Sequence, residues 1–387
     1  MSALPRNRTA VAAAFATQGL VFISLTTRLP AIQERWDLSD VQLSLLLLMM
    51  VGLAGLGSVV AEMLAKQHSS ARLLRLGLSL IVLAVPVVAL APAVAVFVAA
   101  LAVYGVALGV VDATTNMQAV AVEHGYGRPI LPSFYGAWTL GGVVGSAITL
   151  ATSQLPLGAA AAVAVVPLAV AFAAFLPRTG APVSPAPVDI AWRPILLIGL
   201  ALVLFYMVDT AALTWGPVFL DHTFATPASL VALATFPYLL ASGTLRLAGD
   251  HLVHRFGPVA MLRVGGLVAA GALAVIVTSP TWPVAVAGFT VLGAAVAVIA
   301  PLSFSAAARI AGSGFDEEDR HARVDAMIAR FNQFNYAGAL LGAVMTGLVG
   351  ANSLRIGFAV PMVLILAILP LARVFAPAAV VSPPRAA

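Results

Sequence analysis

Two carboxylates stand where a carboxylate is costly. Asp112 lies deep in the apolar run 93–122 and Asp209 near the middle of the run 194–220. Burying a charged side chain in hydrocarbon without a partner costs about 2.5 kcal/mol or more. A carboxylic acid in a low-dielectric pocket resists ionisation and can hold and release a proton near neutral pH. That is the property a proton-coupled carrier needs. Asn116 follows Asp112 by one helical turn and so shares its face. The structural alternative for each acid is a hydrogen-bond or ion-pair partner holding helices together.

Other polar and aromatic side chains sit inside apolar runs. Tyr135 and Trp138 are three apart in the run 132–153, as are Asn332 and Asn335 in the run 322–349, and Tyr206 is a turn from Asp209. Amides beside an aromatic platform suit a hydroxylated ligand, although amides equally serve as interhelical glue. Arg28, near the end of the first run, can pair with an acid, bind an anionic group, or snorkel to the interface. Glu62 and Asp250 stand at the ends of their runs, and Arg246 and Arg255 flank Asp250. An acid that meets a helix N-terminus or a loop Arg holds one conformation shut, so these four are gate candidates. The acidic run 316–319 reads as a solvated loop, and Trp36, Trp192 and Trp282 read as interfacial anchors.

The elements that must position these residues are membrane spans. The 387-residue chain is 61% apolar and 9% charged, with a mean hydropathy of +1.03. A soluble domain carries about 25% charged residues, so this chain cannot clothe a water-facing surface and lipid is its main solvent. With no cysteine, disulfides, thiolate metal sites and a Cys nucleophile are excluded. At about 20 apolar residues per crossing, the spans fall at 9–33, 40–65, 72–91, 93–122, 132–153 and 157–176, then 194–220, 227–249, 258–279, 281–311, 322–349 and 353–374. The Pro-rich stretch 177–193 between the sets reads as an extended cytoplasmic linker joining six-helix bundles at 1–176 and 194–375, and 376–387 as a tail. With both termini cytoplasmic, 17 of the 20 basic residues fall on the inside and only Arg28, Arg35 and Arg355 outside. The basic excess is thus a topology signal and implies no nucleic acid.

The halves repeat each other. Leu74-Arg75-Leu76-Gly77 matches Leu262-Arg263-Val264-Gly265 at an offset of 188, which also places Glu62 on Asp250 and Gly105 on Gly293. Gly141-x-x-x-Gly145 matches Gly338-x-x-x-Gly342, and small residues four apart let helix backbones approach closely in lipid.

The stretch Arg246–Gly257 resembles the loop signature of the major facilitator superfamily, Gly-x-x-x-Asp-x-x-x-Arg-x-Gly, and Glu62 with Lys66 resembles a degenerate first copy. The segment Gly105-x-x-x-Gly109-x-x-Asp112-x-x-x-Asn116 is similar to the acid-x-x-x-Asn segment of the fucose-permease branch. Met207-Val-Asp209, Trp215 to Leu220 and Arg28-Leu-Pro30 resemble the YbjJ-like bacterial subgroup placed near those permeases. The permeases' acid in span one has no counterpart here, and Tyr135 and Thr139 replace the His and Ser of the subgroup pattern. The resemblance implies an all-α membrane protein of twelve transmembrane helices in two pseudo-symmetric bundles, with spans one, four, seven and ten lining a central path.

The expected function is secondary transport of a small solute across a bacterial inner membrane by alternating access, as proton-coupled symport of a polar, sugar-like solute. Asp112 and Asp209 are the proton-coupling candidates. Asn116, Tyr135, Trp138, Asn332, Asn335, Tyr206 and Arg28 are the ligand candidates. The alternative is proton-driven efflux of a lipophilic or cationic compound. No nucleophile–base pair, metal set or phosphate loop suggests an enzyme. No cofactor is expected beyond a proton gradient, and the expected partners are a small-molecule substrate and the lipid bilayer, with the protein a monomer.

Overall fold

The computed structural model describes residues 4–126, 130–176, 192–311, 331 and 333–376, without the side chains of His124, Pro132 and Asp250. Among these residues, ten helices are long and apolar enough to cross a membrane, and two shorter apolar segments, Leu157–Ala171 and Gln333–Val349, complete twelve spans in chain order. The others are Leu4–Thr26, Asp40–Leu64, Ser70–Leu90, Val94–Tyr126 and Leu131–Ala151 in the first half. In the second half they are Trp192–Phe224, Val231–Phe256, Pro258–Thr278, Trp282–Ala311 and Leu354–Phe375. The linker 177–191, the acidic run 316–319, the tail beyond 376, Arg128, Arg178, Arg320, Arg323, Arg330 and Arg385 lie outside the described residues.

Several spans are interrupted, each for a local reason. Span one bends at Thr27–Arg28 and resumes as Leu29–Trp36, with Pro30 in its first turn, where a missing N–H costs nothing. Span two starts on a capping box, Ser39 accepting from the Gln42 N–H while Gln42 returns to the Ser39 N–H. Span ten is split into Trp282–Val296 and Ile299–Ala311. Pro301 has no N–H to offer the carbonyl of Ala297 four residues earlier, so a backbone acceptor is released at mid-depth. Gly257, between spans eight and nine, has φ +78°, the left-handed region that favours glycine, at the last position of the loop signature.

Packing repeats across the halves. Span one lies on five as seven lies on eleven, two on four as eight on ten, and three on six as nine on twelve. The halves meet through spans two and eleven and through five and eight. The glycines set these contacts. A Cβ on Gly105 would press on the Met50 carbonyl, and one on Gly293 would run into the Tyr238 carbonyl. Both glycines and both carbonyls are related by the 188-residue offset. Gly141 and Gly145 face the carbonyls of Ala16 and Leu20, and Gly338 and Gly342 face those of Val203 and Met207. Close backbone approach supplies the dispersion contacts that hold helices together in lipid, where the hydrophobic effect does not. The outward faces are correspondingly greasy, with Leu83, Val165, Phe172 and Leu247 more than half exposed.

At the end opposite the N-terminus, arginines cap equivalent helices. Arg35 donates to the carbonyls of Ala89 and Ala91, both at 2.7 Å, closing span three. Arg355 donates to Val277 and Ser279 at 2.6 and 2.7 Å, closing span nine at the offset-related positions. Each cation meets the negative end of a helix. At this end the halves are also joined by the Ser146–Thr235 hydroxyl pair, by His222 beside Asp40 at 3.4 Å, and by Gly347 packed on Ser44 and Trp215.

Candidate functional site

At mid-depth the polar residues of seven spans converge. Gln18 on span one donates to Asp112 Oδ1 at 3.1 Å, and Tyr336 on span eleven donates to Oδ2 of the same carboxylate at 2.6 Å. Asp112 therefore receives one hydrogen bond from its own half and one from the other. Ser58 on span two also faces the Tyr336 hydroxyl. One turn along, the Asn116 amide donates to the Asp112 carbonyl at 2.9 Å, and its oxygen accepts from the Tyr135 hydroxyl at 3.0 Å. The shared face anticipated for Asp112 and Asn116 is present, and Tyr135 is brought onto it from span five.

The second acid has a separate setting. Tyr238 on span eight donates to Asp209 Oδ1 at 2.7 Å, and Arg246 lies in electrostatic range of both. Arg246 Nε donates to the freed Ala297 carbonyl at 3.3 Å, and Nη1 to Thr139 Oγ1 on span five at 2.8 Å. Arg246 thus ties span eight to the break in span ten and to the other half. Its place is about 15 Å inside the end of its helix at Phe256, at 1.5 Å rise per residue, so it belongs to the central cluster and not to the interfacial basic residues. Tyr206 is within electrostatic range of Asp112, Tyr135, Asp209 and Arg246.

Aromatic rings close one side of the cluster. Phe15 stacks on Phe134 at 5.7 Å and meets Tyr135 edge-on at 5.5 Å. Tyr135 stacks on Phe304 of span ten at 6.1 Å, and Phe304 continues to Phe331 and Phe334. The chain of rings crosses from the first half to the second on the N-terminal side of the two acids.

The remaining candidates fall into four groups. Trp138 packs against Phe22 at 6.4 Å, and half-buried Asn335 makes no side-chain hydrogen bond among the described residues. Arg28 is far from the cluster, held by Ser24, Thr149 and Thr152 at the end opposite the N-terminus. Glu62 is exposed near the N-terminal-side end of span two, and Arg255 lies over the Phe256 ring at 5.2 Å. Asn332 and the side chain of Asp250 lie outside the described residues. Gln18, Tyr238 and Tyr336 were not among the candidates. The available signal for Gln18 was a long amide in a span without acids, at the height of Asp112. For the tyrosines there was none beyond a hydroxyl in an apolar run.

No protein-family model matches the chain. It is 26% identical to an uncharacterized transporter, y4wD, of Sinorhizobium fredii, over 90% of this chain and 92% of that one. It is 28% identical to an uncharacterized MFS-type transporter of Yersinia pestis, over 93% of each. Among solved structures it is similar to a bacterial homologue of the human lysosomal transporter Spinster, inward-facing and unoccupied, with TM-score 0.70 and 16% identity over 96% of this chain and 98% of that one. It is also similar to FucP in the outward conformation, with TM-score 0.62 and 16% identity over 95% and 98%. The nucleoside transporter NupG gives TM-score 0.64 and 14% identity over 97% and 98%. These similar proteins are membrane transporters and not enzymes. Twelve apolar helices packed as two matching halves give the chain the major facilitator fold, and along nearly its whole length it is similar to transporters of that superfamily, FucP among them.

Proposed function

We propose that the chain moves a small, polar, hydroxylated solute by alternating access, coupled to protons through Asp112. The observation carrying this reading is that the Asp112 carboxylate is hydrogen-bonded from both halves, by Gln18 and by Tyr336. Any motion that parts span eleven from span four must break the bond to Tyr336. Protonating the carboxylate weakens what it accepts, because bonds to a charged group are roughly twice as strong as neutral ones. Proton binding and the parting of the halves therefore act on the same oxygen. Asn116, Tyr135, Tyr206 and Asn335 offer amides, hydroxyls and ring faces to a hydroxylated ligand, and Asp209 with Tyr238 and Arg246 forms the second polar wall. Arg246 acts as a gate, since its bond to Thr139 joins the halves. FucP, a fucose:proton symporter, and NupG, a nucleoside transporter, share the fold at low identity and are in keeping with this class of solute. The excess of basic residues at one end supports a reading with both termini cytoplasmic and the protein in a bacterial inner membrane.

A thermal-unfolding screen of purified protein against monosaccharides, polyols and nucleosides, beside lipophilic antibiotics and cations, tests the solute class. A ligand at 100 times its Kd stabilises the folded state by about 2.7 kcal/mol. Stabilisation only by the lipophilic set would replace the symport reading with efflux. For a polar hit, Asp112→Asn in proteoliposomes is expected to keep exchange and lose accumulation driven by a pH gradient. Uphill accumulation by that variant would remove Asp112 as the coupling acid.

A further inference from the structure

Arg28 stands apart from the other arginines at its end of the molecule. Arg35 and Arg355 spend their donors on helix-terminal carbonyls and lie over the Trp36 and Phe224 rings at 5.0 and 5.4 Å. Arg28 is half-buried and bonded only to neutral oxygens. Nη1 donates to the Ser24 carbonyl at 3.0 Å and to Thr149 Oγ1 at 2.6 Å, and Nη2 to Thr152 Oγ1 at 2.8 Å. Among the described residues it has no ion-pair partner.

A second, unpartnered donor belongs to a residue that lines the same space. Tyr104 on span four is 1% exposed, and its hydroxyl is buried with no hydrogen-bond partner. Arg28 and Tyr104 line one crevice between spans one, three, four and six, with walls from Val21, Leu25, Val88 and Val163. The Gln18–Asp112 bond fixes the relative height of spans one and four. At 1.5 Å per residue, Arg28 lies about 15 Å beyond Gln18 and Tyr104 about 12 Å beyond Asp112 in the same direction. The guanidinium and the phenol thus share one layer, well away from the central cluster.

Neutral oxygens lower the cost of burying Arg28 but leave its charge uncompensated, and a buried charge is stabilised chiefly by a counter-ion. A water molecule would satisfy Tyr104 and leave that charge as it is. A guanidinium and an unpartnered phenol on one crevice, with a net positive charge and aliphatic walls, define the chemistry of a ligand that would fit it. We propose that this crevice binds a carboxylate or phosphate oxyanion carried on an apolar tail, the oxyanion on Arg28 and Tyr104 and the tail along the valine and leucine walls. An anionic lipid headgroup and a free amphiphilic anion share this chemistry.

The full-length protein, stripped of lipid in a neutral detergent, is titrated with octyl phosphate, octanol and inorganic phosphate while its unfolding midpoint is followed. Octyl phosphate is expected to raise the midpoint saturably and octanol to leave it in place. Arg28→Gln is expected to abolish the shift. Tyr104→Phe, losing one bond to a charged group, is expected to weaken half-saturation about tenfold. Ala160→Phe fills the crevice without touching the bonds of Arg28 and is expected to abolish the shift as well, so it serves if Arg28→Gln does not fold. Asp112→Asn is expected to leave the titration unchanged, which separates this site from the transport site. Dependence on the tail supports an amphiphilic anion, and a match by inorganic phosphate overturns the assignment of the apolar walls to a tail. Equal shifts from octanol, a shift that survives both Arg28→Gln and Ala160→Phe, or no response to octyl phosphate overturns the site.

Discussion

Removing one oxygen, that of Tyr336, should change which end of the molecule opens. Its hydroxyl donates to Asp112 Oδ2 at 2.6 Å from the opposite half, next to Ser58. A hydrogen bond to a charged group is worth about 1.5–3 kcal/mol net. If it forms only while spans four and eleven are together, Tyr336→Phe shifts the balance toward parting by roughly 10- to 100-fold. The contacts joining the halves at the far end, Ser146–Thr235 and His222–Asp40, are untouched by the change, so the parting is expected at the N-terminal side.

The chain has no cysteine, so spin labels can be placed on it without first removing any. Gln67→Cys and His254→Cys put one nitroxide on each half, on exposed positions at the N-terminal side of the molecule. Pulsed electron–electron resonance then gives the ratio of short to long separations. Tyr336→Phe is expected to raise the long-distance population at least tenfold. In an Asp112→Asn background the same change is expected to do less, because the acceptor is no longer charged and a neutral bond is worth about 1 kcal/mol. A distribution altered less than twofold by Tyr336→Phe would mean that the bond does not distinguish the conformations. The coupling assigned to Asp112 would then lose its structural basis.

Other substitutions test the packing and the break in span ten. Gly105→Ala and Gly293→Ala both force a Cβ toward a facing carbonyl, so each is expected to destabilise by about 1–3 kcal/mol in thermal unfolding, while Gly136→Ala, with open space around it, is neutral or better. Arg246→Lys keeps the charge but loses the planar fork that reaches both Ala297 and Thr139, and is expected to cut transport at least tenfold while the protein remains folded. Pro301→Ala restores an N–H that competes for the Ala297 carbonyl, straightening span ten, and is expected to lower the transport rate with little loss of thermal stability. Trp215→Phe leaves the buried Ala343 carbonyl without its indole donor at 2.7 Å, and a loss of about 1–3 kcal/mol is expected in the unfolding midpoint analysis.

What could be read in advance divides by physical cause. Lipid as solvent makes the order and approximate length of the spans legible in the sequence, and the spans from Asp40–Leu64 to Pro258–Thr278 lie close to the runs of apolar residues. The repeat was legible because backbone contact in lipid demands small residues, and Gly105 and Gly293 indeed face offset-related carbonyls. Interruptions were less legible. Span ten was read as continuous, since Pro301 is tolerated in a membrane helix if another group takes the released carbonyl, and that group, Arg246, sits on a different span. The same reasoning explains why Arg246 looked like a loop residue: its partners, Thr139 and Ala297, are tens of residues away in sequence and adjacent only after the halves assemble. Acids in apolar runs announce themselves one at a time, because a charge in hydrocarbon is costly wherever it stands. Their partners do not, because Tyr238, Tyr336 and Gln18 are affordable in a membrane for many reasons. A carboxylate can therefore be found in the sequence of such a protein, whereas the side chain in the other half that bonds to it has to be found in the packing.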